Sequence, residues 1–128
     1  IAADLDDVLR YLRAMLAAEV TGRPMPELTI GGIPAEDLHR ISHNTLKFLN
    51  VGWITPDAAL GPTAVKLNLL RAYCRDAEIA AVDAHGETGG SRAGATHLAP
   101  LERDRMLHGL NRLSNALYVL VAKVAGKK

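Results

Sequence analysis

Three ionisable side chains, Arg71, Arg75 and Glu78, follow one another at steps of four and three in the run PTAVKLNLLRAYCRDAEIAAVDAH, residues 62–85. With Asn68 they share one side of any helix formed there. Two like charges a turn apart cost an isolated helix about 0.2–0.5 kcal/mol. A bound polyanion gives the pair a use. Two guanidiniums on one face can hold a phosphate chain through charge-assisted hydrogen bonds, and Glu78 can orient one of them. A solvated charged face, or a salt-bridge network between subunits, accounts for the same three residues.

A second group lies near the C-terminus, where Leu107, Asn111, Ser114, Tyr118 and Val121 form a stripe beside an apolar seam. Asn111 and Ser114 are expected to be half-buried, and polar groups there need partners, whether a ligand, a backbone carbonyl or a neighbouring helix. His39 and His43 stand one turn apart, a spacing that two metal ligands can use. The sequence names no third ligand and carries no adjacent glutamate of the zinc-protease pattern, so no metal site is assigned. The run Gly86–Arg92, GETGGSR, could wrap a phosphate with backbone N–H groups but lacks the lysine and hydroxyl residue of a P-loop, and reads as a connector. Cys74, the lone cysteine, is expected to pack rather than react.

The elements that position these groups read as helices. Residues 62–85 hold no proline or glycine after Pro62 and can form one helix about 36 Å long. Leu70, Tyr73, Cys74, Ala77, Ala80, Ala81 and Ala84 are expected to form its buried face. An earlier helix is predicted over residues 3–20, with Asp4, Asp6 and Asp7 near its start and a stripe of Leu5, Val8, Leu9, Leu12, Met15, Leu16 and Val20. Residues 21–33 hold Pro24, Pro26, Gly31 and Gly32 and read as irregular. Pro34 then begins a helix to Leu49 that buries Leu38, Ile41, Thr45 and Phe48. Residues 50–61, with the lone tryptophan Trp53, and residues 86–99 read as connections. In the last helix Met106, Leu110, Leu113, Leu117, Leu120 and Val124 step 4-3-4-3-4, the seam of a helix packed into a bundle. No strand is predicted.

The totals set bounds. At 128 residues the chain is expected to be one domain, all-α, a bundle of four to five helices. A net charge of +1 gives no electrostatic reason to expect nucleic acid or a membrane surface. One cysteine excludes an intramolecular disulfide and suits a reducing cytoplasm. No apolar run approaches the ~20 residues of a membrane span. The chain opens at Ile1 rather than Met, which leaves room for a preceding segment.

Two stretches together are recognisable: LNLLRAYCRDAEIAAV and LNRLSNALYVL, residues 67–82 and 110–120. They resemble the two signature helices of the ATP:corrinoid adenosyltransferases. The ethanolamine-utilisation branch is the closer match, with counterparts of GRPMPELTIGGIPAEDLHRISH, residues 22–43, and of the Pro56–Gly61 turn. The resemblance implies transfer of the 5′-deoxyadenosyl group of ATP to reduced cobalamin, assisted by a divalent metal (Mg²⁺), in a helical bundle whose active sites often lie between subunits. It implies a homo-oligomer in the cytoplasm, associated with a bacterial microcompartment and serving a cobalamin-dependent lyase or dehydratase.

Carried over residue by residue, Arg75 matches a triphosphate contact, Arg71 an arginine bridging subunits near the nucleotide, Glu78 the glutamate that braces them, and Asn111 an ATP contact. Arg75 and Asn111 are the catalytic candidates. Trp53 falls near the apolar residue that related enzymes set against the corrin. Asp76 and Ile79 stand where the propanediol branch has arginines, and Asn115 where it has aspartate. Within these residues there is neither the Gly-rich nucleotide loop of that branch nor the Cys-rich region of the ethanolamine branch. Two rival readings stay open: a module that stores or delivers adenosylcobalamin, and a helical protein that docks to a partner.

Overall fold

The structure, a computed structural model, describes residues 2–54, 57–85 and 100–126. Helix α1 (Ala2–Thr21) leads into a short hairpin of β1 (Thr29–Ile30) and β2 (Ile33–Pro34), then α2 (Ala35–His43), α3 (Thr45–Leu49), a 3-10 turn (Ala58–Leu60), α4 (Pro62–His85) and α5 (Pro100–Gly126). The expected all-α architecture is present.

The organising element is α5. From Leu113 to Ala122 every residue but Asn115 is buried, and Leu113, Leu117, Val119 and Leu120 are among the most completely enclosed side chains. A helix apolar on all sides must be covered on all sides. Here α4 covers one flank and α2 another, with α3 against it as well. The seam predicted from the 4-3-4-3-4 spacing is the buried line, with Val124 half-buried at its end.

Three expectations about the other helices need correction. In α1 the buried line is Val8, Tyr11, Met15 and Ala18, whereas Leu9, Leu16 and Val20 are exposed. The sequence offers two apolar stripes on α1, and the one that carries Tyr11 turns inward because its ring fits over Gly109 of α5. A methyl group at Gly109 would lie 1.9 Å from the Tyr11 hydroxyl and 3.5 Å from Met15 Cε. In α4 the inner face is Ala64, Leu67 and Cys74 with half-buried Leu70, Arg71, Glu78 and Ala81; Tyr73, Ala77 and Ala80 point away from α5. The α4 sequence is apolar on two sides, and only one of them can meet α5.

The single helix expected over residues 34–49 is two. Asn44 leaves the helical region (φ −150°, ψ 65°), and its side chain accepts the Lys47 N–H at 3.2 Å, capping α3. Asparagine offers the backbone this alternative. The break resets the helical phase, so Leu38 and Thr45 are buried and Phe48 is exposed. Pro34 is the residue before α2 rather than its first, with ψ 156°.

The hairpin was not expected. Gly31 and Gly32 both take positive φ (61° and 79°), the turn that matches strand twist, and pair Ile30 with Ile33. The Gly31 N–H donates to Asp7 Oδ2 at 2.8 Å, tying the turn to α1 and lowering the Asp7 pKa.

Gly109→Ala is expected to destabilise the chain by about 1–3 kcal/mol through overpacking against the buried Tyr11 ring. In a Tyr11→Phe background, without the hydroxyl, the same substitution should cost less than half as much. Urea unfolding of the four proteins checks this, and equal costs in both backgrounds would contradict the contact.

Candidate functional site

Helices α4 and α5 run antiparallel. Ala64 and Asn68 line the same hollow as Val121, and one turn further along α4 the Arg71 guanidinium lies 5.1 Å from the centre of the Tyr118 ring. Arg71 Nη1 also donates to Asn68 Oδ1 at 3.3 Å. A cation over an aromatic face is stabilised by about 0.5–2 kcal/mol, more as water is excluded.

Tyr118 is the junction of this region. It is buried, and its hydroxyl accepts the Ile54 N–H at 3.1 Å. That bond fixes the backbone beside Trp53, whose ring lies 5.3 Å from the Tyr118 ring at an interplanar angle of 36°. Trp53, Tyr118 and Arg71 therefore form one continuous series, and Trp53 remains 80% exposed. An indole held by stacking yet open to solvent is a ready apolar surface for a flat ligand. The residue expected at the corrin and a residue expected at the nucleotide thus share a single tyrosine between them.

The remaining candidates follow from the register. Seven residues beyond Arg71 on α4 stands Glu78, and seven residues back from Tyr118 on α5 stands Asn111. Antiparallel packing sets these two at the same level, about 10 Å from the Arg71–Tyr118 contact. Glu78 and Asn111 are half-buried, whereas Arg75 is exposed at the edge of the stripe. Among the described residues the side chain of Arg75 has no hydrogen bond or ion pair, and no ion pair joins Glu78 to either arginine. An exposed guanidinium without an internal partner keeps its donors for a ligand. Ser114 is different: its hydroxyl donates to the Asn111 carbonyl at 2.8 Å, so its partner is the backbone.

On the α2 side of α5 the charges are paired. Glu36 Oε1 receives Arg112 Nε at 3.1 Å and His108 Nε2 at 2.9 Å. Arg112 Nη1 donates to Asn111 Oδ1 at 2.8 Å. These hydrogen bonds hold the Glu36 carboxyl below the usual glutamate range. A hollow of about 680 Å³ opens beside this cluster, and no described α4 residue lines it. The hollow is therefore separate from the Arg71–Arg75–Glu78 stripe. Tyr11 is among its lining residues; its buried hydroxyl has no hydrogen-bond partner among the described residues, and burial raises its pKa to about 12.

The histidine pair sits close by. The His39 and His43 rings are 4.2 Å apart, but both Nδ1 atoms are engaged: His39 Nδ1 accepts from Asn115 Nδ2 at 2.9 Å, and His43 Nδ1 donates to the His39 carbonyl at 2.9 Å. Among the described residues no three His, Cys, Asp or Glu side chains gather as a metal-holding group. Cys74 is buried, which pushes its thiol pKa up. The glycine-rich run from Gly86 lies outside the described residues. Glu36, His108 and Arg112 were not singled out from sequence, because they meet across 72 and 76 residues of chain. Tyr118 was visible as a member of the α5 stripe, without the loop and the arginine it joins.

Comparison with known proteins covers most of the chain. The family model for cobalamin adenosyltransferase matches residues 9–124. The corrinoid adenosyltransferase EutT of Escherichia coli (strain K12) is 33% identical over 117 residues, which are 91% of this chain and 40% of that protein. The protein of the same name from Salmonella typhimurium (strain LT2) is 31% identical over the same shares of each. The chain spans about two-fifths of the length of the curated relatives it matches. No solved structure matches.

Two outcomes check the geometry. Tyr118→Phe leaves the buried Ile54 N–H unpaired and should cost about 1–3 kcal/mol, with a change in Trp53 fluorescence. The His39 pKa is held below its ordinary 6.5, first by desolvation and then by the Arg112 charge. The neutral ring is thus the folded form, so its contribution to stability is present above pH ~6.5 and is lost as the pH falls through the depressed folded value. An NMR titration of His39 giving a pKa above 6.5 would contradict this.

Proposed function

Because the chain belongs to the cobalamin adenosyltransferase family, we propose that it transfers the 5′-deoxyadenosyl group of ATP to the cobalt of reduced cobalamin. The observation that carries this reading is the register of α4 and α5, which sets the Arg71–Arg75–Glu78 stripe beside Asn111 and within reach of the Trp53–Tyr118 stack.

In the reaction, the cob(I)alamin cobalt attacks the ribose C5′. The bond from C5′ to the triphosphate oxygen breaks and its electron pair leaves with the triphosphate, so the cobalt gives up two electrons in forming the new bond. The chain's task is to hold the reactants in line, neutralise the leaving group and exclude water. Arg75, exposed and unpaired among the described residues, meets the triphosphate. Asn111 contacts the nucleotide beside it. Arg71 stays on Tyr118 with spare donors directed to the nucleotide or to a second subunit. Trp53 lies against the corrin. A magnesium ion brought by the nucleotide would help to neutralise the leaving triphosphate; among the described residues no group of three His, Cys, Asp or Glu side chains would hold it.

The proposal includes a homo-oligomer. Its support is the outer face of α4, where Val65, Leu69 and Tyr73 are exposed in a row with Ala72 and Ala80. An apolar face of this kind marks an interaction surface. The likeness of residues 22–43 to the ethanolamine branch supports a cytoplasmic setting, association with a microcompartment and a cobalamin-dependent lyase or dehydratase as consumer of the product. Among the described residues no helix is long and apolar enough to cross a membrane.

The test is to mix the protein with ATP, Mg²⁺ and chemically reduced cobalamin and follow the absorbance change to adenosylcobalamin. Arg75→Ala and Asn111→Ala should each lower kcat/KM by about 10–100-fold, the loss of one charge-assisted or ligand hydrogen bond, while the helical circular dichroism stays unchanged. No turnover above the uncatalysed rate by folded protein would sink the proposal. Cobalamin binding indifferent to ATP would favour a storage or delivery module.

A further inference from the structure

Asparagine on a helix face presents either of two edges, a carbonyl that accepts and an NH₂ that donates. An ATP oxygen needs the second, and the first would repel it. The surroundings of Asn111 decide between them. Arg112 Nη1 lies 2.8 Å from Asn111 Oδ1, and a guanidinium has no lone pair to offer, so the atom facing it must be the carbonyl oxygen. Asn111 Nδ2 is then left with both hydrogens to give.

Arg112 is itself held. Its side chain is only 16% exposed, and its Nε donates to Glu36 Oε1 at 3.1 Å, an oxygen that also takes His108 Nε2. Glu36 belongs to the first turn of α2, so the hold reaches across the bundle. Using Nε for Glu36 and Nη1 for Asn111 fixes the plane of the guanidinium. Its charge is answered by the carboxylate, which separates Arg112 from Arg75 in kind: among the described residues one cation is neutralised and the other is not.

We propose that Glu36 and Arg112 are positioning residues that lock the Asn111 carboxamide with its NH₂ edge toward the nucleotide. This rests on the reading that Asn111 contacts ATP. The alternative role for Arg112, a direct phosphate contact, predicts the opposite sign for one variant. Removing the Glu36 charge would release Arg112 and tighten ATP if Arg112 bound phosphate itself; it weakens ATP if Arg112 acts through Asn111.

The test uses the full chain labelled with ¹⁵N, in wild-type form and as Glu36→Gln, Arg112→Lys and Asn111→Ala. The Asn111 side-chain amide is assigned by its loss in the alanine variant. Without nucleotide, its resonances should move in both Glu36→Gln and Arg112→Lys. The dissociation constant for ATP should rise about 3–10-fold in each, and Glu36→Gln should add nothing in the Asn111→Ala background, since coupled residues are not additive. Circular dichroism melts confirm that each variant folds, and the lysine variant keeps the charge while losing the fork. An Asn111 amide unmoved in both variants, or tighter ATP binding by Glu36→Gln, would overturn the proposal. If the amide moves but Asn111→Ala leaves ATP affinity unchanged, the lock stands and the assignment of Asn111 to the nucleotide falls.

Discussion

Everything in this chain answers to the need to enclose α5. Leucine, valine and alanine occupy nearly its whole circumference between Leu113 and Ala122, and each large side chain removed from water contributes about 1.5–3 kcal/mol. No single neighbour can cover a cylinder. The chain solves this with α4 on one flank, α2 and α3 on another, and α1 reaching Gly109 through Tyr11 and Met15. The polar residues of α5 then fall where one cover gives way to the next. Asn111, Arg112, Asn115 and Tyr118 each find a partner on a different element or beside themselves, so the polar groups of α5 are held from several sides.

The electrostatics divide along the same line. On the α2 side, Glu36 gathers His108 and Arg112, so charge is consumed inside the chain. On the α4 side, Arg75 stands exposed and Arg71 rests on an aromatic face, with no carboxylate partner among the described residues. Cation–π contact leaves the edges of a guanidinium open for hydrogen bonding, as a salt bridge does not. Under the proposed reading, in which this region receives a triphosphate, arginines held in this way serve better than arginines already neutralised.

Local pattern made a good part of this legible. The α5 seam and the extent of α4 can be read from spacing, because each depends on neighbours within a turn or two, whereas the stretches around Arg75 and Asn111 stand out only by their resemblance to a known family. What the pattern could not give was choice among equals. Helix α1 carries two apolar stripes and α4 two apolar sides, and periodicity says nothing of which one meets α5 inside a single chain. The break at Asn44 turns on one side-chain hydrogen bond outweighing helix continuation. The Glu36–Arg112–Asn111 chain and the Ile54–Tyr118 bond span 76 and 64 residues, distances at which no local rule operates.

The placement of Cys74 has a kinetic meaning. It is the only thiol, and it lies buried on the face of α4 turned toward α5. Thiolates react and buried thiols do not, so an alkylating reagent meets this sulfur only in the moments when the two helices part. The modification rate of the native protein therefore counts those openings one by one. Ligands that span the seam between α4 and α5 should slow that clock, and the slowing would measure how firmly they hold the two helices together, without reference to any reaction they undergo.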